Sequence, residues 1–210
     1  MNRGRSPVEN ANRAKDFIGH WEIKMNIFQT QFLEETFTYD GTQLAPLWIY
    51  KNYDIQGHAL VSFIGPADVT LKHMVDVEDI KTQSPIYSQS MVHFLGEFFE
   101  LDLEKTVFRQ RLLMATAKEV LEKKIQRVLD RKGDDIYDGD AKLSVSIATL
   151  SSLSTLIHAG INISSRNTPV KTKGLEDYDI PPAAFAKEVL ETFKEELESI
   201  WLARCKVRSV

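Results

Sequence analysis

Apolar positions along the chain recur at two spacings, and the switches between them mark out the predicted elements. Phe32 to Phe37 reads as a strand, and Tyr39-Asp40-Gly41 follows as a turn. Leu44 to Tyr53 predicts a helix with Pro46 in its first turn, where a missing N–H is tolerated. Ala59 to Ile64 is a continuous apolar run, a buried strand closed by Gly65-Pro66. Val69 to Val77 predicts a further strand, ending in the acidic turn Val75-Asp76-Val77-Glu78-Asp79. Met91 to Phe99 is aromatic-rich and suits a strand better than a helix. From Leu103 to Val128 the spacing becomes helical, with Leu103, Val107, Ala117, Leu121 and Ile125 on one stripe. Ile136-Tyr137, Lys142 to Leu150 and Thr155 to Ile163 are the next strands. The Ser/Thr-rich connection from Ser151 to Thr155 predicts that the last two pair antiparallel, both central in the sheet. A final helix runs from Pro182 to Arg204, its buried stripe formed by Phe185, Val189, Phe193, Leu197, Ile200 and Trp201.

Strands, one long helix, more strands and a terminal helix make an α+β chain: a mixed, largely antiparallel sheet with helices packed on one face. A length of 210 residues suits one domain. We place it at residues 25–210, behind an N-terminal extension of residues 1–24. In that extension Ser6-Pro7-Val8-Glu9 is a helix-start signal for a short helix reaching Phe17 and stopped by Gly19.

Charge and cysteine usage narrow the classes. The net charge is −4, so no general basic surface points to nucleic acid. The single cysteine, Cys205, excludes a disulfide framework or an all-cysteine metal site within one chain. No apolar run reaches the ~18 residues of a membrane span, and the N-terminus lacks a signal-peptide core. A cytoplasmic protein acting on a small-molecule ligand is the default, with association into a homodimer left open.

Candidate chemistry gathers in three places. Lys142 opens an apolar strand, and by period-two alternation Ser144 and Ser146 share its face. A face of Lys, Ser and Ser reads as the floor of a polar pocket, where an ammonium holds a phosphate or carboxylate as a point charge; an exposed lysine at a strand edge is the plainer alternative. Asp134 and Asp135 precede it and suit a ribose hydroxyl or Mg²⁺, or else a solvated turn. His93 and Glu97 are four apart and share a face; with Asp76 from the acidic turn they form a candidate metal set.

The stretch Asp134-Asp135-Ile136-Tyr137-Asp138-Gly139-Asp140-Ala141-Lys142-Leu143 resembles the central motif of the biotin and lipoate protein ligases. Those families carry an Asn-Asp pair, a short apolar strand, a Gly-containing turn, and a lysine followed by Leu or Ile. His158-Ala159-Gly160-Ile161-Asn162 resembles their following strand. With Tyr39-Asp40-Gly41, Phe63-Ile64-Gly65-Pro66, Met91-Val92-His93-Phe94 and Gln110-Arg111-Leu112-Leu113, these segments resemble a small domain family of unassigned activity sharing the fold of those ligases and of class II tRNA synthetases. The resemblance implies a ligase-like, adenylate-forming or nucleotide-binding protein using ATP and Mg²⁺. Lys142 and His158 would be its catalytic residues. Asp134, Asp135, Ser144, Ser146, Gly160 and Asn162 would contact the cofactor. A metal-assisted enzyme of another class and a non-catalytic binding module on the same fold are the alternatives.

Overall fold

A computed structural model describes residues 27–83, 86–166, 168 and 170–210. The helix expected from Ser6 to Phe17 lies outside the described residues. Among these residues eight strands form two sheets: β1 (Gln29–Thr36), β2 (Ala59–Val69), β3 (Ile86–Phe98), β4 (Asp130–Lys132), β5 (Asp135–Asp138), β6 (Ala141–Lys142), β7 (Ser144–Leu150) and β8 (Thr155–Asn162). The helices are α1 (Trp48–Tyr53), α2 (Val77–Thr82), α3 (Leu103–Ile125) and α4 (Pro182–Cys205). The large sheet has the order β1-β2-β3-β8-β7, and the small one β4-β5-β6. Only β1 and β2 run parallel, so the architecture is the expected α+β one with a largely antiparallel sheet.

Alternation along the strands sends two sets of side chains to opposite faces. Leu60, Val92, Phe94, Phe98, Ile157, Ala159 and Ile161 meet α3 and α4, and Leu113, Met114, Leu121, Phe185, Val189 and Phe193 complete that core. The other face carries Val61, Phe63 and Leu95, covered by Tyr39, Ile49 and Ile55 from the segment between β1 and β2. This second cover is short and leaves part of the face over β3, β8 and β7 for a cleft.

Several boundaries differ from expectation. β2 does not stop at Gly65-Pro66 but bulges between Gly65 and Ala67 and continues to Val69. The bulge accommodates the missing proline N–H, and the Pro66 carbonyl accepts from Tyr39 N at 2.9 Å. The strand expected over Val69 to Val77 ends at its first residue. The acidic turn is the start of α2, because the Asp76 side chain accepts from Glu78 N and Asp79 N and so caps a helix. Only Trp48–Tyr53 of the helix expected from Leu44 is helical; Pro46 disfavours helical backbone at Ala45, and Leu47 sits left-handed at φ 63°. In α3 the buried stripe runs through Thr106, Gln110, Leu113, Met114, Ala117, Val120 and Leu121, while Leu103 is exposed. In α4 only the first turns are buried, and Ile200 is exposed.

The strand expected from Lys142 to Leu150 is two strands. Lys142 pairs within the small sheet, and from Ser144 onward the chain pairs antiparallel with β8, which carries His158. The antiparallel pairing is as expected, but β7 is an edge strand rather than central.

Gly65 is a point where the fold cannot yield. A Cβ built there would overlap the Phe37 carbonyl oxygen, a backbone atom. Gly65→Ala should therefore destabilise at the upper end of the ~1–3 kcal/mol typical of overpacking. A lowered midpoint of urea unfolding at unchanged slope is the expected result, and an unchanged midpoint would contradict this packing.

Candidate functional site

A cleft of ≈ 440 Å³ opens on the sheet face away from α3 and α4. Its floor is His158, Met91, Val145 and Ile147, and Tyr39, Val69 and Ile86 flank it. At its mouth stand Asp76 and Asp79 from α2, Asp134 and Asp135 from the start of β5, and Lys142 from β6. Lys142 is the one lysine or arginine among the described residues lining it.

Lys142 reaches the cleft because its backbone is clamped from both sides. Its N–H donates to Lys171 O at 3.0 Å, and its carbonyl accepts from Lys173 N at 3.1 Å and from Asn162 Nδ2 at 3.3 Å. Its ammonium lies 2.8 Å from Asp135 Oδ2, with neither side chain more than a third exposed. Burial pushes the Asp135 carboxyl above the usual carboxylate range, outweighing the hydrogen bond and charge of Lys142 that pull it down. Asp79 is also raised, by burial and by the neighbouring charge of Asp76. Asp79 and Asp135 near one ammonium leave the mouth acidic, and each negative charge disfavours ionising the next.

Asp134 turns the other way. Its carboxylate accepts from Arg111 Nη1 and Gln110 Nε2, both at 3.0 Å, and so ties the small sheet to α3. The two serines face the helices as well. Ser144 Oγ accepts from Ile136 N at 2.8 Å, and Ser146 Oγ accepts from Gln110 Nε2 at 2.8 Å. They border the cleft, but the face shared with Lys142 is not realised, because the chain changes sheets at Leu143: Leu143 N donates to Ile136 O and Leu143 O accepts from Asn162 N. Gly160 leaves room for Met91 rather than for a ligand, since a Cβ there would lie 2.7 Å from Met91 Cε.

His93 and His158 are brought together in the floor. His93 pairs with Gly160 and His158 with Leu95 and Ile147, a register that puts both rings on one face. His93 Nε2 is 3.1 Å from Gly65 O, and His93 Nδ1 is 3.1 Å from His158 Nε2. Tyr39 stacks on His158 with centroids 3.7 Å apart and planes 7° apart. Burial holds His93 down at about 4, and holds His158 well below the usual histidine value, with His93 adding to the effect.

The candidate metal set is not assembled. His93 lies behind His158 and does not line the cleft. Glu97 is bonded elsewhere, accepting from Leu47 N at 2.8 Å and Ser154 Oγ at 2.6 Å. Asp76 does line the cleft, but it caps α2. Among the described residues no group of three or more His, Cys, Asp or Glu is spaced to hold a metal ion. Sequence reasoning also missed the apolar walls of Val69, Met74, Ile86 and Met91, and the place of Tyr39, which forms an isolated parallel bridge with Ala67 of β2.

The chain is 39% identical over 176 residues to an uncharacterized protein of Methanocaldococcus jannaschii, MJ0805, covering 80% of this chain and 79% of that protein. A solved protein of unknown function from Pyrococcus horikoshi superposes with a TM-score of 0.82 at 35% identity, over 87% of this chain and 99% of that one. Biotin protein ligase from Aquifex aeolicus, solved with biotin and ATP, superposes with a TM-score of 0.55 at 15% identity, over 81% and 70%. The putative lipoate protein ligase Ta0514 from T. acidophilum, solved with lipoic acid, gives 0.56 at 13%, over 81% and 86%. The fold is that of the biotin and lipoate ligases, and, with residues 28–208 matched, the chain belongs to the family described as domain of unknown function DUF366.

Proposed function

We propose that the cleft is the ligand site of a ligase-like protein, taking a small organic acid together with a Mg²⁺-nucleotide for adenylate formation. The observation that carries this is Lys142, the cleft's one lysine or arginine among the described residues, held rigidly at the mouth beside Asp135. Relatives of this fold solved with biotin, ATP or lipoic acid support a small-molecule ligand.

The residues fit a nucleotide only with a metal between it and the protein. Bare phosphates would meet Asp76, Asp79 and Asp135 as well as Lys142. Mg²⁺ keeps several waters and needs only one or two carboxylates besides phosphate oxygens, so Asp135, with Asp79 close by, suits it. ATP would supply the activating adenylyl group. Lys142 would hold negative charge at the mouth, and the apolar walls would exclude water from the acid's body.

The same mouth favours a second reading. Lys142 is already neutralised by Asp135, and a binding module that holds a small molecule without activating it would need nothing more.

Calorimetry with Mg²⁺-ATP separates the two. On the first reading Lys142→Ala weakens binding by about 1.5–3 kcal/mol, roughly 10–150-fold. Its unfolding midpoint should barely change, because a partly exposed ion pair contributes about 0–1 kcal/mol. Absence of Mg²⁺-ATP binding by the unmodified chain would end the nucleotide reading and leave the binding module.

The buried histidine pair generates a pH dependence. His93 is held at about 4 when folded against an ordinary 6.5, so the unfolded chain takes up a proton first as pH falls. Its contribution is fully present above pH 6.5 and is lost as pH drops toward 4, with a loss of roughly 1–3 kcal/mol by pH 4.5. Carboxylates titrate nearby in pH, so the readout is a difference. Urea unfolding of His93→Leu should show a shallower fall between pH 6.5 and 4.5 than the unmodified chain. Parallel curves would show that His93 is not buried as a neutral group.

A further inference from the structure

The apolar stripe of α4 outruns the core. Phe185, Val189 and Phe193 are buried, but the stripe continues through Leu197, Ile200 and Trp201, and there Ile200 is 47% exposed. The first turns of α3 present Lys105, Phe108, Arg109 and Leu112, spaced to share one helix face. The two stretches line a groove of ≈ 230 Å³ that shares no lining residue with the sheet-face cleft.

One donor on the wall of this groove lacks an acceptor. The Arg109 guanidinium lies over the Phe98 ring, 4.3 Å from its centroid, and Nη2 donates to Glu100 Oε1 at 3.0 Å. Nη1 is buried and has no hydrogen-bond partner, in a side chain only 14% exposed. An unmatched buried donor is costly, and more so when it carries charge. The charges are unbalanced as well. Glu100 is shared by Lys105 and Arg109, while Arg204 lies over the Trp201 ring at 4.8 Å and has no carboxylate partner among the described residues. Lys105, Arg109 and Arg204 thus face only Glu100 and Glu198 across the groove, one positive charge in excess, since burial holds His58 below its usual value and keeps it neutral.

We infer that this groove is a second ligand site, taking a flat apolar carboxylic acid whose carboxylate accepts from Arg109 Nη1 and whose ring is covered by Leu112, Leu197 and Trp201. A cavity of about 150 Å³ holds benzene, so the groove has room for one ring and its acid group. The guanidinium matches a carboxylate in shape as well as in charge. Arg109 rests on a ring face by a long side chain, so Nη1 meets an entering carboxylate by sliding on Phe98, without unpacking the core. A neutral amide accepts more weakly, and an ammonium meets the excess positive charge.

The test is ¹⁹F nuclear magnetic resonance on the full chain carrying 5-fluorotryptophan, with the Trp201 resonance assigned by Trp201→Phe. The probes are benzoate, benzamide and benzylammonium. Benzoate should move the Trp201 resonance saturably, with benzamide at least about tenfold weaker and benzylammonium without effect. Arg109→Met keeps the apolar stem and should weaken benzoate at least about tenfold, and Arg109→Lys should restore part of the loss. Ile200→Glu sets a like charge at an exposed position and should weaken benzoate too; it decides the matter if Arg109→Met does not fold. Lys142→Ala should leave the Trp201 response unchanged, and a response that disappears with Lys142 belongs to the cleft and overturns the inference. No saturable movement of Trp201, equal movement by benzamide, or indifference to the Arg109 and Ile200 changes also overturns it. So does sedimentation showing a dimer of the chain that Ile200→Glu splits, because the groove is then covered by a second copy.

Discussion

The site depends on the step the chain makes at Leu143. One residue earlier the backbone belongs to the small sheet, and one residue later it belongs to the large one. Leu143 serves both, donating to Ile136 O and accepting from Asn162 N. Its side chain is fully buried in the helix-side core, which fixes the crossing point. Lys142 and Asp135 are thereby brought to the rim of a surface whose floor is the strand carrying His158. Asp134, turned the other way, ties the same loop to α3 through Gln110 and Arg111.

The two faces of the large sheet then divide the labour. The helix face is filled by Phe94, Phe98, Leu113, Met114, Phe185 and Phe193 and supplies most of the hydrophobic stabilisation. The opposite face is covered only where Tyr39, Ile49 and Ile55 reach it. What remains open has two kinds of chemistry. The mouth is charged, with Lys142 set beside acidic side chains, and burial raises two of those acids, Asp79 and Asp135. The floor is neutral and apolar, with a histidine pair that burial keeps uncharged. Such a division suits a ligand with an apolar body and a polar end at the surface.

Much of this was legible along the chain. Lys142, Asp134, Asp135, Ser144 and Ser146 were singled out by type and spacing, and His158 and Asn162 by resemblance to the ligase strand, and all of them line or border one cleft. Their roles were not legible. Ser144 and Ser146 alternate as expected, but the face they occupy is set by the change of sheet at Leu143. His93 and Glu97 share a strand face, yet one bonds Gly65 O and His158 while the other bonds Leu47 N and Ser154 Oγ, partners from distant parts of the chain. Asp76 reads as an acidic turn until the cap it makes on α2 is seen.

By itself the amino-acid sequence determined the α+β class, the two long helices and the antiparallel pairing of the strands around Lys142 and His158. Those follow from hydrophobic periodicity and turn chemistry, which are local. It also carried the residues that mark the ligase-like fold. Only the tertiary structure decided which side of the sheet each polar group serves, that β7 is an edge, and that Tyr39 stacks on His158. The contacts that join His158 to His93 and His93 to Gly65 belong there too. These are contacts between residues 28 to 119 positions apart, and register across strands, not periodicity along them, sets which atoms meet.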